Sequence, residues 1–508
     1  MRALGLRVSH SIASIAAAGT AATAVVTMAA APASAGAAVV EQQQPAPAPA
    51  EQGAPPGTRL MHRDLGSSDS VPWAGPSDPR ISAWSVPGAT CSTLFQGSDG
   101  MVVGLCTKYL GVQHGLNVVV PSVALFDPHS AQLLASRELR KDGLLGGVYG
   151  YLDEHDRVVI AEGHDIVRIG YHNANGRWVL TEETRTPLPD LGTDAPMAGV
   201  APDGEDRVWF ATKDSVVGVI DHDGRVSTAR LGGGAESIAN GLTGRPDGAS
   251  VLTSHALYEV ALTDDGEVTT SWRRDYDRSS GRKPGQLSWG SGTTPTVFGE
   301  NGQWVAIVDN RDDSPQLRVF DVATGADVCS MPAFETSGPG TENSIIADGA
   351  TLWIPSTYGF DYPPLAVDGP SVPADAPYTG GLTKIEVTAQ GCTRVWENNT
   401  RIATLPMLTK KDHTIWALST GKADGSAEHE VSLIGVDAET GAETHRLPIG
   451  LQPFDAPLQL TGMITPAGEF WQATATRLLR VGADAGTGTA PSSYSPPNRL
   501  SSSGATFQ

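Results

Sequence analysis

The chain has 508 residues, 56 of them acidic and 35 basic, for a formal charge of -21. A surface this acidic repels phosphate backbones, which disfavours a nucleic-acid partner, and none is expected. The length exceeds the roughly 100–200 residues of one ordinary domain, leaving several domains or a repeat architecture.

The first ten residues carry Arg2 and Arg7, residues 11–30 are apolar and small, and Ala33-Ser34-Ala35 fits a signal-peptidase site. Residues 1–35 are therefore expected to be a signal peptide cleaved after Ala35, and the chain secreted and extracellular. No later segment is apolar enough to cross a bilayer, so no stable membrane insertion is expected. Residues 36–70 include alternating Pro and Ala at 45–50 and are expected to form a disordered linker. Residues 71–485 hold the folded domain, and 486–508, rich in Ser and Pro, a flexible tail.

Within the folded part, similar units begin near Ser98, Leu152, Pro202, Pro246, Gly299, Ala347, Lys410 and Pro466. Each is a polar turn followed by short strands rich in Val, Ile, Thr, Trp and Tyr. DG, NG and TG pairs supply hairpin turns. Long amphipathic helices are nearly absent, and "HSAQLLASREL" (129–139) reads as a short helix or a strand. Repeats of this length, each worth four antiparallel strands, predict an all-β, eight-bladed β-propeller of four-stranded antiparallel blades. Trp209, Trp304, Trp353, Trp416 and Trp471 recur at matching places and read as blade-to-blade packing. A monomer is expected.

Four cysteines, Cys91, Cys106, Cys329 and Cys392, in a secreted chain predict two disulfides. Of three pairings, Cys91–Cys106 with Cys329–Cys392 is preferred, the first closing a hairpin and the second clipping neighbouring repeats.

"WGSGTTPTVFGENGQWVAIVDN" (289–310) and "GTENSIIADGATLWIPSTYG" (340–359) resemble stretches of secreted members of the eight-bladed, quinoprotein-like propeller superfamily. That superfamily includes quinone-cofactor dehydrogenases, whose adjacent-cysteine ring has no counterpart here. A quinone-dependent dehydrogenase is accordingly the third functional reading.

Loops at the inner strands carry the candidate chemistry. Glu236, Asn240, Asp309 and Glu342 form the expected metal set, because calcium takes six to eight oxygen ligands in flexible geometry. In residue type the set is similar to the acidic and amide ligands of six-bladed lactonase-type propellers. His255 and Tyr358 are the candidate proton carriers. Arg274, Arg278, Asn310 and Asn343 are the candidate substrate contacts, with the arginines in a local basic stretch, 271–285, suited to carboxylates. The proline-rich insertion 361–381 is placed to roof a channel mouth. The leading expectation is a metal-dependent hydrolase or lyase acting on an oxygenated small molecule or glycan. The alternative is a non-catalytic propeller binding a glycan or protein.

Overall fold

The computed structural model describes residues 54–113, 116–140, 149–422 and 426–482. The leader with its cleavage site, the linker as far as residue 53, the tail 486–508 and His114 lie outside the described residues.

Eight antiparallel sheets form an eight-bladed β-propeller. In chain order, blades 1 to 7 occupy residues 89–138, 150–187, 197–230, 242–275, 296–332, 346–398 and 407–451. Blade 8 takes three strands from residues 463–481 and its fourth from Ile81–Ser85, which pairs with Leu478–Val481. Both ends of the domain thus build one blade, which closes the ring and removes the open sheet faces of a linear repeat.

Second strands such as Val208–Thr212 and Thr414–Thr420 are buried along their whole length, because both faces are covered by neighbouring blades. This is why their apolar residues run on continuously and do not alternate with polar ones. Trp209, Trp416 and Trp471 are fully buried there. The Trp353 indole in blade 6 donates to the Ala438 carbonyl of blade 7 at 2.9 Å, and Trp272 in blade 4 donates to Val322 of blade 5 at 2.7 Å. Buried indole N–H groups find carbonyls across the blade gaps, as buried polar groups must.

Both expected disulfides are present. Cys91–Cys106 joins paired strands of blade 1, and Cys329–Cys392 joins the outer strands of blades 5 and 6. The segment 129–139 carries the strand Leu133–Glu138, which pairs with Ser122–Phe126 as the outer strand of blade 1.

Residues 54–70 depart from the expected disordered linker. They run against the inner strands that line the channel. Arg59 bridges Leu152 of blade 2, and the Ser67 hydroxyl meets Thr243 of blade 4 at 3.0 Å. Carbonyls of Gly66, Ser68 and Asp69 accept from Val297, Ala347 and Leu408 of blades 5, 6 and 7. Ser70–Val71 then adds a parallel strand to Met407–Thr409. The inner edge of each blade presents unpaired backbone groups, and this segment satisfies several of them. Leu60, Leu65 and Asp69 are buried as a result. At Gly66 a Cβ would lie 2.7 Å from the Val297 carbonyl oxygen. Gly66→Ala is expected to destabilise the protein by about 1–3 kcal/mol through overpacking, read from the urea midpoint.

Candidate functional site

Loops that lead from the outer strand of one blade to the inner strand of the next converge at one end of the channel. They surround a cavity of about 320 Å³. Met61 and His62 of the channel segment also line it, and Tyr362, Pro363, Leu365 and Ala366 of the insertion 361–381 reach it from blade 6. Its volume lies at the small end of the range for ligand pockets.

Three polar side chains from different blades meet here. Glu342, ahead of blade 6, is buried. Its carboxyl accepts from the Leu287 N–H at 3.1 Å and from Asn240 Nδ2 at 3.4 Å. Asn240, ahead of blade 4, also donates to the Gly292 carbonyl at 2.6 Å, and its Oδ1 accepts from the Tyr149 hydroxyl at 3.4 Å. The chain Tyr149–Asn240–Glu342 thus links the leading loops of blades 2, 4 and 6. Burial outweighs these hydrogen bonds and pushes the Glu342 carboxyl up to about 7. Burial, with the nearby Glu342 charge second, raises the Tyr149 phenol as well.

A second polar group closes the inner end. Asp69, fully buried, accepts from His62 Nδ1, with both carboxylate oxygens at 3.1 Å, and from the Ser344 hydroxyl. His62 Nε2 lies 3.4 Å from Thr294 Oγ1. The Asp69 contact orients the ring and directs Nε2 toward Thr294, which lines the cavity. Neither His62 nor Asp69 was among the sequence candidates. Leu60, Met61 and Leu65, ending the Pro-Ala tract, were the signal that the chain there had something to bury.

The expected site residues divide sharply. Asn240, Glu342 and Asn343 line the cavity together. Asn343 is buried and donates to the Thr404 carbonyl at 3.4 Å, while its Oδ1 accepts no hydrogen bond. The other members of the expected set have local roles. Glu236 is held by Thr253, by Tyr258 at 3.0 Å and by Arg273 at 2.8 Å. Asp309 caps its own turn, accepting from the Gln316 N–H at 2.7 Å. Asn310 donates to the Trp289 and Gly290 carbonyls at 3.0 and 2.9 Å.

His255 meets Ser254 Oγ at 2.9 Å and lies away from the cavity lining, as does Tyr358, whose N–H donates to Ser356. Arg274 is spent on the carbonyls of Thr324 and Gly325 in the neighbouring blade, and Arg278 is exposed outside the cavity. In the same basic stretch Lys283 donates to the Pro339 carbonyl at 2.8 Å, and burial pushes its ammonium down to about 8. The stretch latches loops together, and the strand-end acids cap turns.

The cavity does not fit the expected cation. With Glu236 and Asp309 engaged elsewhere, Glu342 is the one member of the expected acidic set at the lining, and its surroundings favour the neutral form. Calcium requires several oxygen ligands with carboxylate charge among them. Among the described residues no group of three His, Cys, Asp or Glu side chains gathers as a metal site. The described lining also contains no Arg or Lys, so an anionic cofactor such as a carboxylated quinone finds no fixed counter-charge there.

The fold and its axial mouth define the class: an eight-bladed propeller with a filled channel and a cavity at one end. No protein-family model matches the chain, and no curated protein matches it. Among solved structures it is similar to a europium-containing methanol dehydrogenase, with TM-score 0.55 and 9% identity over 85% of this chain and 99% of that one. It also matches BamB from Moraxella catarrhalis, with TM-score 0.36 and 13% identity over 65% and 94% of the two chains. A Dos1 propeller matches with TM-score 0.39 and 10% identity over 80% and 96%. At these identities the likeness is one of fold alone. Among the described residues no helix is long and apolar enough to cross a membrane.

Proposed function

We propose that the axial cavity is the small-molecule site of a secreted enzyme. In it Glu342 gives or takes the proton in a hydrolysis or an elimination at an oxygenated centre. The observation that carries this reading is a carboxyl buried at the mouth of the channel, bound by an amide and a backbone N–H, and poised at about 7. A general acid–base group works best when its pKa lies near the operating pH. Asn240 fixes one Glu342 oxygen while leaving the carboxyl at the cavity wall. Tyr149, whose phenol stays protonated, orients the Asn240 amide. The proton carriers expected at His255 and Tyr358 are thereby replaced by Glu342.

Glu342→Gln keeps the shape of the side chain and an acceptor for the Leu287 N–H, but it cannot transfer a proton. Its expected effect is a loss of turnover of roughly 100-fold or more, with ligand affinity changed far less. The assay is a screen of esters, lactones and hydroxy-carbonyl compounds on the native protein, repeated with the variant on any active substrate. Undiminished turnover by the variant contradicts the assignment. The largely apolar wall of the cavity favours a second reading, a non-catalytic binding propeller. Saturable binding by the native protein with no turnover selects it.

A further inference from the structure

The ring of loops around the cavity is chemically uneven. Blades 2, 4 and 6 contribute the hydrogen-bonded chain of Tyr149, Asn240 and Glu342. Toward blades 7, 8 and 1 the wall is built from Leu405, Leu458, Leu460, Val119 and Tyr109, and Leu365 of the insertion overhangs the rim. Two hydroxyls on that side are committed, whereas Thr461 Oγ1 and Gln459 Oε1 have no hydrogen-bond partner among the described residues. Ser92 donates to the Leu105 carbonyl at 3.1 Å and Thr90 to the Thr474 carbonyl at 3.0 Å. Leu365 is 74% exposed and Tyr109 45%, on a chain that is otherwise strongly acidic. Apolar side chains held open beside a buried polar cluster mark a surface that awaits a ligand.

From this we infer that the cavity takes an amphipathic molecule. An uncharged oxygenated head lies against Glu342 and Asn240, and a short hydrocarbon chain lies along Leu405, Leu458 and Leu460 and leaves beneath Leu365. The inference rests on the axial cavity being the ligand site and names the class of ligand. Three features carry it. The described lining offers no Arg or Lys, so among the described residues a carboxylate or phosphate head meets no fixed cationic side chain. With Ser92 and Thr90 committed, Thr461 Oγ1 and Gln459 Oε1 leave the leucine side with few groups for a sugar ring, most of whose buried hydroxyls would lack a partner. The volume, at about 30 Å³ per water-sized element, admits on the order of ten non-hydrogen atoms, the size of a medium-chain alcohol, ester or amide. Within the substrates expected from the sequence, the polarity of the walls thus favours an acyl or alkyl compound over a glycan.

The test is calorimetric titration of the intact chain with 1-butanol, 1-hexanol and 1-octanol, and with erythritol as a four-carbon polyol. Each buried methylene contributes about a fourfold gain in affinity, so each step of two carbons is expected to tighten binding about fifteenfold. Erythritol is expected to bind more weakly than 1-butanol. Leu460→Ser is expected to flatten the dependence on chain length. Leu365→Ser, at an exposed position where folding is not at stake, is expected to reduce the step from hexanol to octanol. Glu342→Gln is expected to shift all three alcohols by a common factor and to leave the dependence on length intact.

Equal affinity along the series, no binding of any alcohol, tighter binding of erythritol, or an unchanged slope in both leucine variants overturns the inference. If the alcohol series fails while Glu342→Gln still abolishes turnover of another compound, the acid–base role stands and only the ligand class falls.

Discussion

Replacing Asp69 by alanine is expected to destabilise the protein by about 2–5 kcal/mol and to release the segment that fills the channel. Asp69 is fully buried and is shared between His62 Nδ1 and the Ser344 hydroxyl. Its backbone joins in as well, with the carbonyl accepting from the Leu408 N–H and the N–H donating to the His62 carbonyl. Removing the carboxylate leaves an imidazole and a hydroxyl in the interior without their acceptor, and each unsatisfied group costs about 1–3 kcal/mol. Asp69→Asn, of equal size, is expected to lose less. Urea unfolding measures the difference, and the rate of tryptic cleavage after Arg63 reports whether the segment has left the channel. A variant as stable and as protected as the native chain would mean that the segment is held by its backbone pairing alone.

The second large effect is on pH dependence. In the folded protein Glu342 keeps its proton to about pH 7, whereas unfolded it ionises near its ordinary value of 4.5. Between these values the folded state binds more protons, so the contribution is fully present below about pH 4.5 and is lost as the pH rises through 7. At 1.36 kcal/mol per unit, the native protein is expected to lose about 3 kcal/mol over that range relative to Glu342→Gln. Asp64, pushed up to about 6 by burial, adds a slope of the same sign, but it is common to both proteins and cancels in the comparison. Denaturation midpoints of the two proteins at pH 4.5, 6 and 8 give the difference directly. Parallel curves would return Glu342 to an ordinary carboxylate.

The fold was legible because propeller blades are built from local information. The repeats carry their own turn residues, five of the eight place a tryptophan on the second strand (Trp209, Trp304, Trp353, Trp416 and Trp471), and the strands pair with their neighbours in sequence. The disulfides followed from the same reading, since Cys91 and Cys106 lie across one hairpin and Cys329 and Cys392 at matching places in adjacent blades. Half of the site was legible for a related reason: residues ahead of an inner strand point to the axis, which brought Asn240, Glu342 and Asn343 to one cavity.

The remainder depended on distinctions that strand order does not carry. Glu236 precedes the inner strand of blade 4 and Asp309 follows the second strand of blade 5, but nearby donors, Arg273 and the Gln316 N–H, claim them. Arg274 looked available in sequence and is consumed by carbonyls of the next blade. His62 and Asp69 sit in a stretch with no period of its own, since its backbone pairs with several blades in turn and its side chains face the channel wall on all sides. A segment of that kind shows neither the alternation of a strand nor the stripe of a helix.

The most direct measurement is infrared titration of the intact protein in the carboxylic-acid carbonyl region, compared with Glu342→Gln. The predicted result is a protonated-carboxyl band titrating at about pH 7 in the native-minus-variant difference, from which Asp64 and Glu259, pushed up to about 6 and about 7 by burial in both proteins, cancel. A native spectrum that titrates identically to that of the variant through pH 7 would contradict the assignment of Glu342 as the poised group of the axial cavity.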